Sequence, residues 1–157
     1  MNRKDWLPLI GFIALSQLAG VIGSFFTISS VDGWYSTLSH PTLNPPSWVF
    51  APVWTTLYIL MGLAAFLVWR QGRGPRLRRA MIVFCLQLSL NALWSVEFFG
   101  MHSPLRGLVV IALMWLSIVW TMLLFNKISR RAAGLLWPYL AWVTFASYLN
   151  LAIWLLN

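Results

Sequence analysis

Residues 80–125 read AMIVFCLQLSLNALWSVEFFGMHSPLRGLVVIALMWLSIVWTMLLF, and Glu97 and Arg106 are the only formally charged side chains in that stretch. An α-helix rises about 1.5 Å per residue, so about 20 apolar residues cover the roughly 30 Å of a bilayer's hydrocarbon core. The stretch is long enough to do this twice, over approximately 80–101 and 105–125. His102-Ser103-Pro104 interrupts it, and a proline at that point opens a helix where its missing N–H costs nothing. Two spans joined so briefly must run antiparallel and side by side.

Working outward, the same test is met at approximately 6–28, 48–69 and 134–155. The sequence therefore predicts an all-α integral membrane bundle of five transmembrane helices, with 1–157 forming one transmembrane domain. Composition agrees: 60% of the 157 side chains are hydrophobic and 9% charged, against roughly 25% charged in a soluble domain. Met1-Asn2-Arg3-Lys4 before an apolar run imitates a signal peptide. The run from Trp6 to Phe26 is too long for that and lacks an A-x-A site, so it reads as a retained first helix.

Loop charges orient the bundle. With the N-terminus inside, Arg3, Lys4, Arg70, Arg73, Arg76, Arg78, Arg79, Lys127, Arg130 and Arg131 face the cytoplasm, and Arg106 alone faces out. The positive-inside rule predicts N-inside and C-outside, in a multi-pass protein of the plasma membrane. The net charge of +8 sits in short clusters between apolar runs, which argues against a nucleic-acid partner. Cys85 is alone, and His40 and His102 with one distant cysteine make no metal pattern. No serine–histidine–acid set, paired carboxylates or phosphate loop is present, which disfavours a hydrolase or kinase and leaves enzymatic activity open.

The connection 29–47 (SSVDGWYSTLSHPTLNPPS) is long for an idle link. Asp32-Gly33 predicts the cap of a short helix running to about Leu38, and Pro41 to Pro46 predicts a stiff extended stretch. It reads either as a lid over the outer bundle mouth or as an aromatic loop lying among headgroups. The eleven tryptophans divide similarly. Trp6, Trp34, Trp48, Trp69, Trp137 and Trp154 fall near span boundaries, where an indole keeps its N–H wet. Trp54, Trp94, Trp115, Trp120 and Trp142 fall deeper, where each indole needs an acceptor.

Gln87, Asn91 and Trp94 share one helical face, as do Trp142, Ala146 and Asn150; Trp54 and Tyr58 are one turn apart. Inward-facing amides and indoles make a pocket for a flat, largely apolar ligand, or they are interhelical glue at about 0.6 kcal/mol per bond. Periodicity leaves both open. Glu97, the sole acid within the spans, reads as a partner to a loop group or a wet boundary acid rather than as a proton relay.

In these same residues the chain resembles the tryptophan-rich sensory protein/translocator protein (TspO/MBR) family, also known as the peripheral benzodiazepine receptor family. The resemblance rests on Trp34-Tyr35, Pro41 through Pro45-Pro46 and Trp48-Val49-Phe50, Pro52-Val53-Trp54-Thr55, and Leu57-Tyr58-Ile59-Leu60-Met61-Gly62. It continues through Leu90-Asn91-Ala92-Leu93-Trp94-Ser95, Phe98-Phe99-Gly100, and Trp137-Pro138-Tyr139-Leu140 with Trp142, to Leu149-Asn150. It implies a five-helix bundle, usually a homodimer in membrane lipid, with a pocket under the first loop that takes protoporphyrin IX or a haem-like tetrapyrrole. No obligatory cofactor or metal is implied.

Carried onto this chain, the ligand-binding residues are Tyr35, Trp54, Asn91, Trp94, Trp142 and Asn150, with Trp34, Pro45 and Pro46 in the lid. Two mechanisms attach to the resemblance: regulated binding or movement of tetrapyrroles, and light- and oxygen-dependent porphyrin breakdown. The second assigns a photochemical role to Trp54, with Trp142 next. The leading expectation is a receptor or sensor, and the alternative is a small transporter or channel for porphyrins or other amphipathic molecules. Cholesterol fits less well, because no cation follows Tyr148.

Overall fold

The computed structural model describes residues 5–157. Arg3 and Lys4, which contribute to the charge argument above, lie outside the described residues. The chain folds as helices α1 (Trp6–Val31), α2 (Phe50–Gln71), α3 (Gly74–Ser95), α4 (Pro104–Asn126), α5 (Arg130–Gly134) and α6 (Trp137–Leu156). Two single turns of 3₁₀-helix, Tyr35–Thr37 and Ser47–Val49, punctuate the first connection, and a π-helical turn, Val96–Gly100, ends α3. Five helical segments are long and apolar enough to cross a membrane, α5 and α6 together making the fifth. The protein is a multi-pass integral membrane protein.

The helices close a ring in the order α1, α2, α6, α4, α3. Its centre is filled by Met61, Ala64, Ala65 and Val68 of α2, Phe84 of α3, Ile111, Met114 and Ile118 of α4, and Tyr139 and Val143 of α6. The outside carries large apolar groups such as Leu7, Phe25, Leu116 and Leu155, which lipid accommodates and water would not. With tails outside as apolar as the core, association depends on close packing and interhelical hydrogen bonds. α1 supplies the close packing through a narrow stripe of buried small residues, Ser16, Ala19 and Gly23. Opposite it, a methyl group on Gly62 would meet the backbone of Ile13, so α1 and α2 approach as only glycine allows.

Helix ends differ from the apolar spans where polar residues extend a helix beyond hydrocarbon. α3 starts at Gly74, six residues before the apolar run at 80; Gly74 has φ +60° and Pro75 occupies the first turn. Arg76, Arg78 and Arg79 are good helix formers whose long stems let the charge reach water, so the helix continues where the apolar window stops. At the other end α1 runs on to Val31, its late hydroxyls bonding back to carbonyls, as Thr27 does to Gly23 at 3.0 Å. The tight link after α3 is the π turn followed by His102, whose φ of 52° turns the chain into α4.

Candidate functional site

The first connection lies against the bundle end formed by the π turn and the last turn of α6. Asp32 ends α1, and the segment expected to be a short helix to Leu38 is a turn followed by the Tyr35–Thr37 3₁₀ turn. Pro41 to Asn44 closes a further turn through Asn44 N–H donating to the Pro41 carbonyl at 3.0 Å, so the proline stretch is bent in its first half and extended only near Pro45-Pro46. Trp34 stacks on His102 with centroids 4.7 Å apart and meets Phe98 edge-on. Tyr35 is buried against Phe98 and Phe99, and its hydroxyl donates to Asn44 Oδ1 at 3.0 Å. Burial raises the Tyr35 phenol above its ordinary pKa, since the phenolate would lose water on most sides. Ser39 and Asn157 exchange two bonds: Ser39 N–H donates to Asn157 Oδ1 and Asn157 Nδ2 donates to the Ser39 carbonyl.

Beside this segment is a cavity of about 480 Å³ walled by α1, α2 and α3. Tyr35, Trp54, Asn91 and Trp94 all line it, together with Phe50, Tyr58 and Phe99. Its α1 wall mixes small and polar residues, Gln17, Gly20, Ser24 and Thr27, with the apolar Val21, Ile28 and Val31, and Asp32 stands at its end.

The cavity floor is a chain of hydrogen bonds that crosses three helices. Tyr58 hydroxyl donates to Asn91 Oδ1; Asn91 Nδ2 donates to the Tyr139 hydroxyl at 3.2 Å; Tyr139 donates to Gln87 Oε1 at 2.9 Å. All four groups are buried, so each bond satisfies a group that lipid and core cannot. Trp54 lies on this floor, stacked on Tyr58 with centroids 5.6 Å apart and edge-on to Tyr139. Sequence reasoning singled out Asn91 and set Tyr58 one turn from Trp54, but it paired neither the Tyr58 nor the Tyr139 hydroxyl with the amide; the spacing of Tyr139 to Trp142 was the remaining signal.

The other two expected ligand-binding residues lie elsewhere. Asn150 accepts from Trp94 Nε1 at 3.0 Å and donates to the Pro104 carbonyl at 2.7 Å, which ties α6 to α3 and α4. Trp94 consequently offers the cavity a ring and no free N–H. Trp142 stands behind Phe50, edge-on to it at 6.0 Å, and is not among the lining residues. Its indole N–H is buried and has no hydrogen-bond partner among the described residues. Of the other deep indoles, Trp115 donates to Thr144 Oγ1 at 2.8 Å, whereas Trp120 is half exposed on the lipid side. Pro45 and Pro46 lead into the turn that starts α2; neither they nor Trp34 line the cavity.

Charge is scarce here. Glu97 Oε2 faces Arg106 at 3.7 Å, beyond hydrogen-bond reach, and Arg106 is largely exposed, so the pair contributes little. Among the described residues no group of three histidine, cysteine or acidic side chains converges as a metal site requires. The arrangement is suited to holding an apolar, planar group by ring contact with one or two amide hydrogen bonds.

The sequence pattern of the TspO/MBR family matches residues 12–155. The chain is 48% identical over 156 residues to the tryptophan-rich protein TspO of Chlorobaculum tepidum, covering 99% of each. It is 42% identical over 151 residues to the tryptophan-rich protein TspO of Archaeoglobus fulgidus, covering 96% of this chain and 97% of the relative. The translocator protein of Homo sapiens is 37% identical over 152 residues, 95% of this chain and 89% of the relative. With a five-span bundle and matches running nearly end to end, the chain belongs to the TspO/MBR family.

Proposed function

We propose that this protein is a membrane receptor or sensor that binds a tetrapyrrole of the protoporphyrin IX class in the cavity between α1, α2 and α3. The observation that carries the reading is the convergence of Trp54 and Trp94 ring surfaces with Asn91 in one cavity beside Tyr35. Asn91 spends its oxygen on Tyr58 and one N–H on Tyr139, leaving its second N–H for an acceptor at the rim of the macrocycle. Segment 29–47 acts as the lid, with Tyr35 against the ligand and Trp34 anchoring from outside. The α1 wall includes the exposed residues Val21 and Ile28, so an amphipathic ligand enters from the membrane.

A receptor is favoured over a channel because the bundle below Tyr58 and Asn91 is packed with Met61, Ala65 and Phe84, all essentially inaccessible. In light and oxygen, Trp54 is the indole that meets the excited ligand; Trp142 takes part only if Phe50 swings aside. The chain sits in the plasma membrane with its N-terminus inside, and it assembles as the homodimer that its family resemblance implies. Sterol binding is a lesser role, since residues 149–157 carry no cation.

Quenching of tryptophan fluorescence by protoporphyrin IX tests the site. Saturable quenching at one ligand per chain is expected, weakened about tenfold by Asn91→Ala, the scale of one lost hydrogen bond. Trp142→Phe should change affinity far less. Trp54→Phe should slow light-dependent loss of the porphyrin. Affinity indifferent to Asn91→Ala and to Trp54→Phe alike would remove the cavity as the site.

A further inference from the structure

At the end of the bundle where α3 begins and α4 stops, a second cavity of about 600 Å³ is lined by Pro75, Arg76 and Arg79 and by Leu124, Lys127 and Ile128. Half of these residues are cations and none is an acid. The acids of the chain are Asp5, Asp32 and Glu97. Asp5 faces Arg70 at 3.7 Å, while Asp32 and Glu97 belong to the opposite end of the bundle. Arg73 folds back onto the carbonyls of Arg70 and Gly72. By contrast, no hydrogen bond or ion pair within the described residues engages the side chains of Arg76, Arg79 or Lys127. Like charges gathered round one cavity repel each other, and an anion between them reverses the sign of that interaction. The first-turn N–H groups of α3, beginning at Gly74, point the same polarity toward the spot.

What lies beyond the cations distinguishes one anion from another. Leu124 and Ile128, both half-buried, give the cavity an apolar side. Along α3, Ile82 and Leu86 follow Arg79 at i+3 and i+7 and are exposed. Along α4, Leu123, Trp120 and Leu116 precede Lys127 at i−4, i−7 and i−11, and they too are exposed. Because Arg79 and Lys127 share one cavity and α3 packs along α4, the two apolar tracks leave the same mouth. Trp120 lies about 10 Å along the axis from Lys127, the depth of the upper acyl chain of a lipid whose phosphate sits at that cation.

We propose that this cavity binds the phosphate of an anionic phospholipid whose acyl chains lie along the α3–α4 seam. A free phosphate would use the three cations and leave the apolar tracks idle. A zwitterionic lipid would bring its own cation into a site that already holds three. An anionic phospholipid matches both parts, in the manner of basic pockets between transmembrane helices.

The test uses the full chain, purified and stripped of lipid in detergent, titrated with phosphatidylglycerol carrying brominated acyl chains, which quench nearby indoles. Saturable quenching is expected, and Trp120→Phe should remove a definite part of it. Replacing Arg76, Arg79 and Lys127 together by glutamine should weaken binding about 100-fold, at roughly fivefold per cation. Arg130→Gln with Arg131→Gln, at the same end but outside the cavity, should change it by less than about twofold. If the triple variant fails to fold, Arg79→Gln and Lys127→Gln singly should each weaken binding about fivefold. Equal quenching by brominated phosphatidylcholine would overturn the proposal. So would a loss as large in the Arg130/Arg131 pair, which would mean diffuse surface attraction. Protection from thermal unfolding by inorganic phosphate equal to that by the lipid would assign the cavity to a free anion instead.

Discussion

Asn91 is the residue where packing meets the proposed recognition. Its side chain joins α3 to α2 through Tyr58 and to α6 through Tyr139, while also forming part of a cavity wall. The alternatives of glue and pocket, separate when read from periodicity, need not compete in one amide that has four bonding positions. The two roles separate by substitution. Asn91→Leu strands the buried Tyr58 hydroxyl and takes from Tyr139 the bond it accepts, leaving only its bond to Gln87, and should cost about 1–3 kcal/mol; Tyr58→Phe removes one terminal donor and should cost about 0.6 kcal/mol. Reversible unfolding in mixed micelles measures both. Equal, negligible losses would mean that the chain of bonds through Tyr139 and Gln87 holds little. Why the tyrosines escaped the sequence is physical: a tyrosine in a span is ordinary until its hydroxyl is known to reach an amide, and that reach depends on how the helices are rotated against each other. Trp142 is the converse case. Its stripe with Asn150 was readable, but of the contacting rings Phe50 and Trp142, from different helices, only Phe50 lines the cavity.

Among the elements, the segment between α1 and α2 depends most on tertiary contact, having two single 3₁₀ turns and little regular structure of its own. Tyr35 is its deepest anchor. A phenol whose folded pKa is raised holds its proton more tightly in the docked state. The stability it lends is therefore complete below the ordinary value of about 10 and disappears as pH rises through the higher, folded value. Phenolate absorbance in the wild type minus that in Tyr35→Phe should accordingly appear only above about pH 10, and protease cutting within 36–44 should rise in step with it. Phenolate appearing below the ordinary value would contradict the burial argument. The five long helices were legible because a bilayer demands length and apolarity from each segment by itself, without regard to neighbours. The start of α3, the π turn at Val96–Gly100 and the bend at Pro41–Asn44 were not. Each is decided by which backbone N–H finds which carbonyl, and neither hydropathy nor composition records that choice.

For the molecule as a whole, charge and depth give the two ends opposite characters. One end carries Arg70, Arg73, Arg76, Arg78, Arg79, Lys127, Arg130 and Arg131, against Asp5 as the described acid; the other carries Arg106 with Asp32 and Glu97. The cavity with Trp54 and Asn91 lies toward the acidic end, and the basic cavity opens at the cationic one. Orientation in the membrane therefore decides which compartment each cavity serves. Cations in short loops resist translocation, and here they gather at the α2–α3 and α4–α5 links, which follow two and four spans and so share the side of the N-terminus. A reporter active only outside the membrane should be active when joined after Asn157 and silent when inserted at Gly74, and a reporter active only inside should give the reverse pattern. Replacing Arg76, Arg78 and Arg79 by glutamine should leave this pattern in place, because Arg70, Arg73, Lys127, Arg130 and Arg131 still outweigh Arg106. Adding lysines to the 101–103 link while removing those remaining cations should turn a share of the molecules over. If the Asn157 fusion is active inside in the unaltered chain, or equally active on both sides, the charge argument fails, and the cavity with Trp54 would not lie toward the outer face.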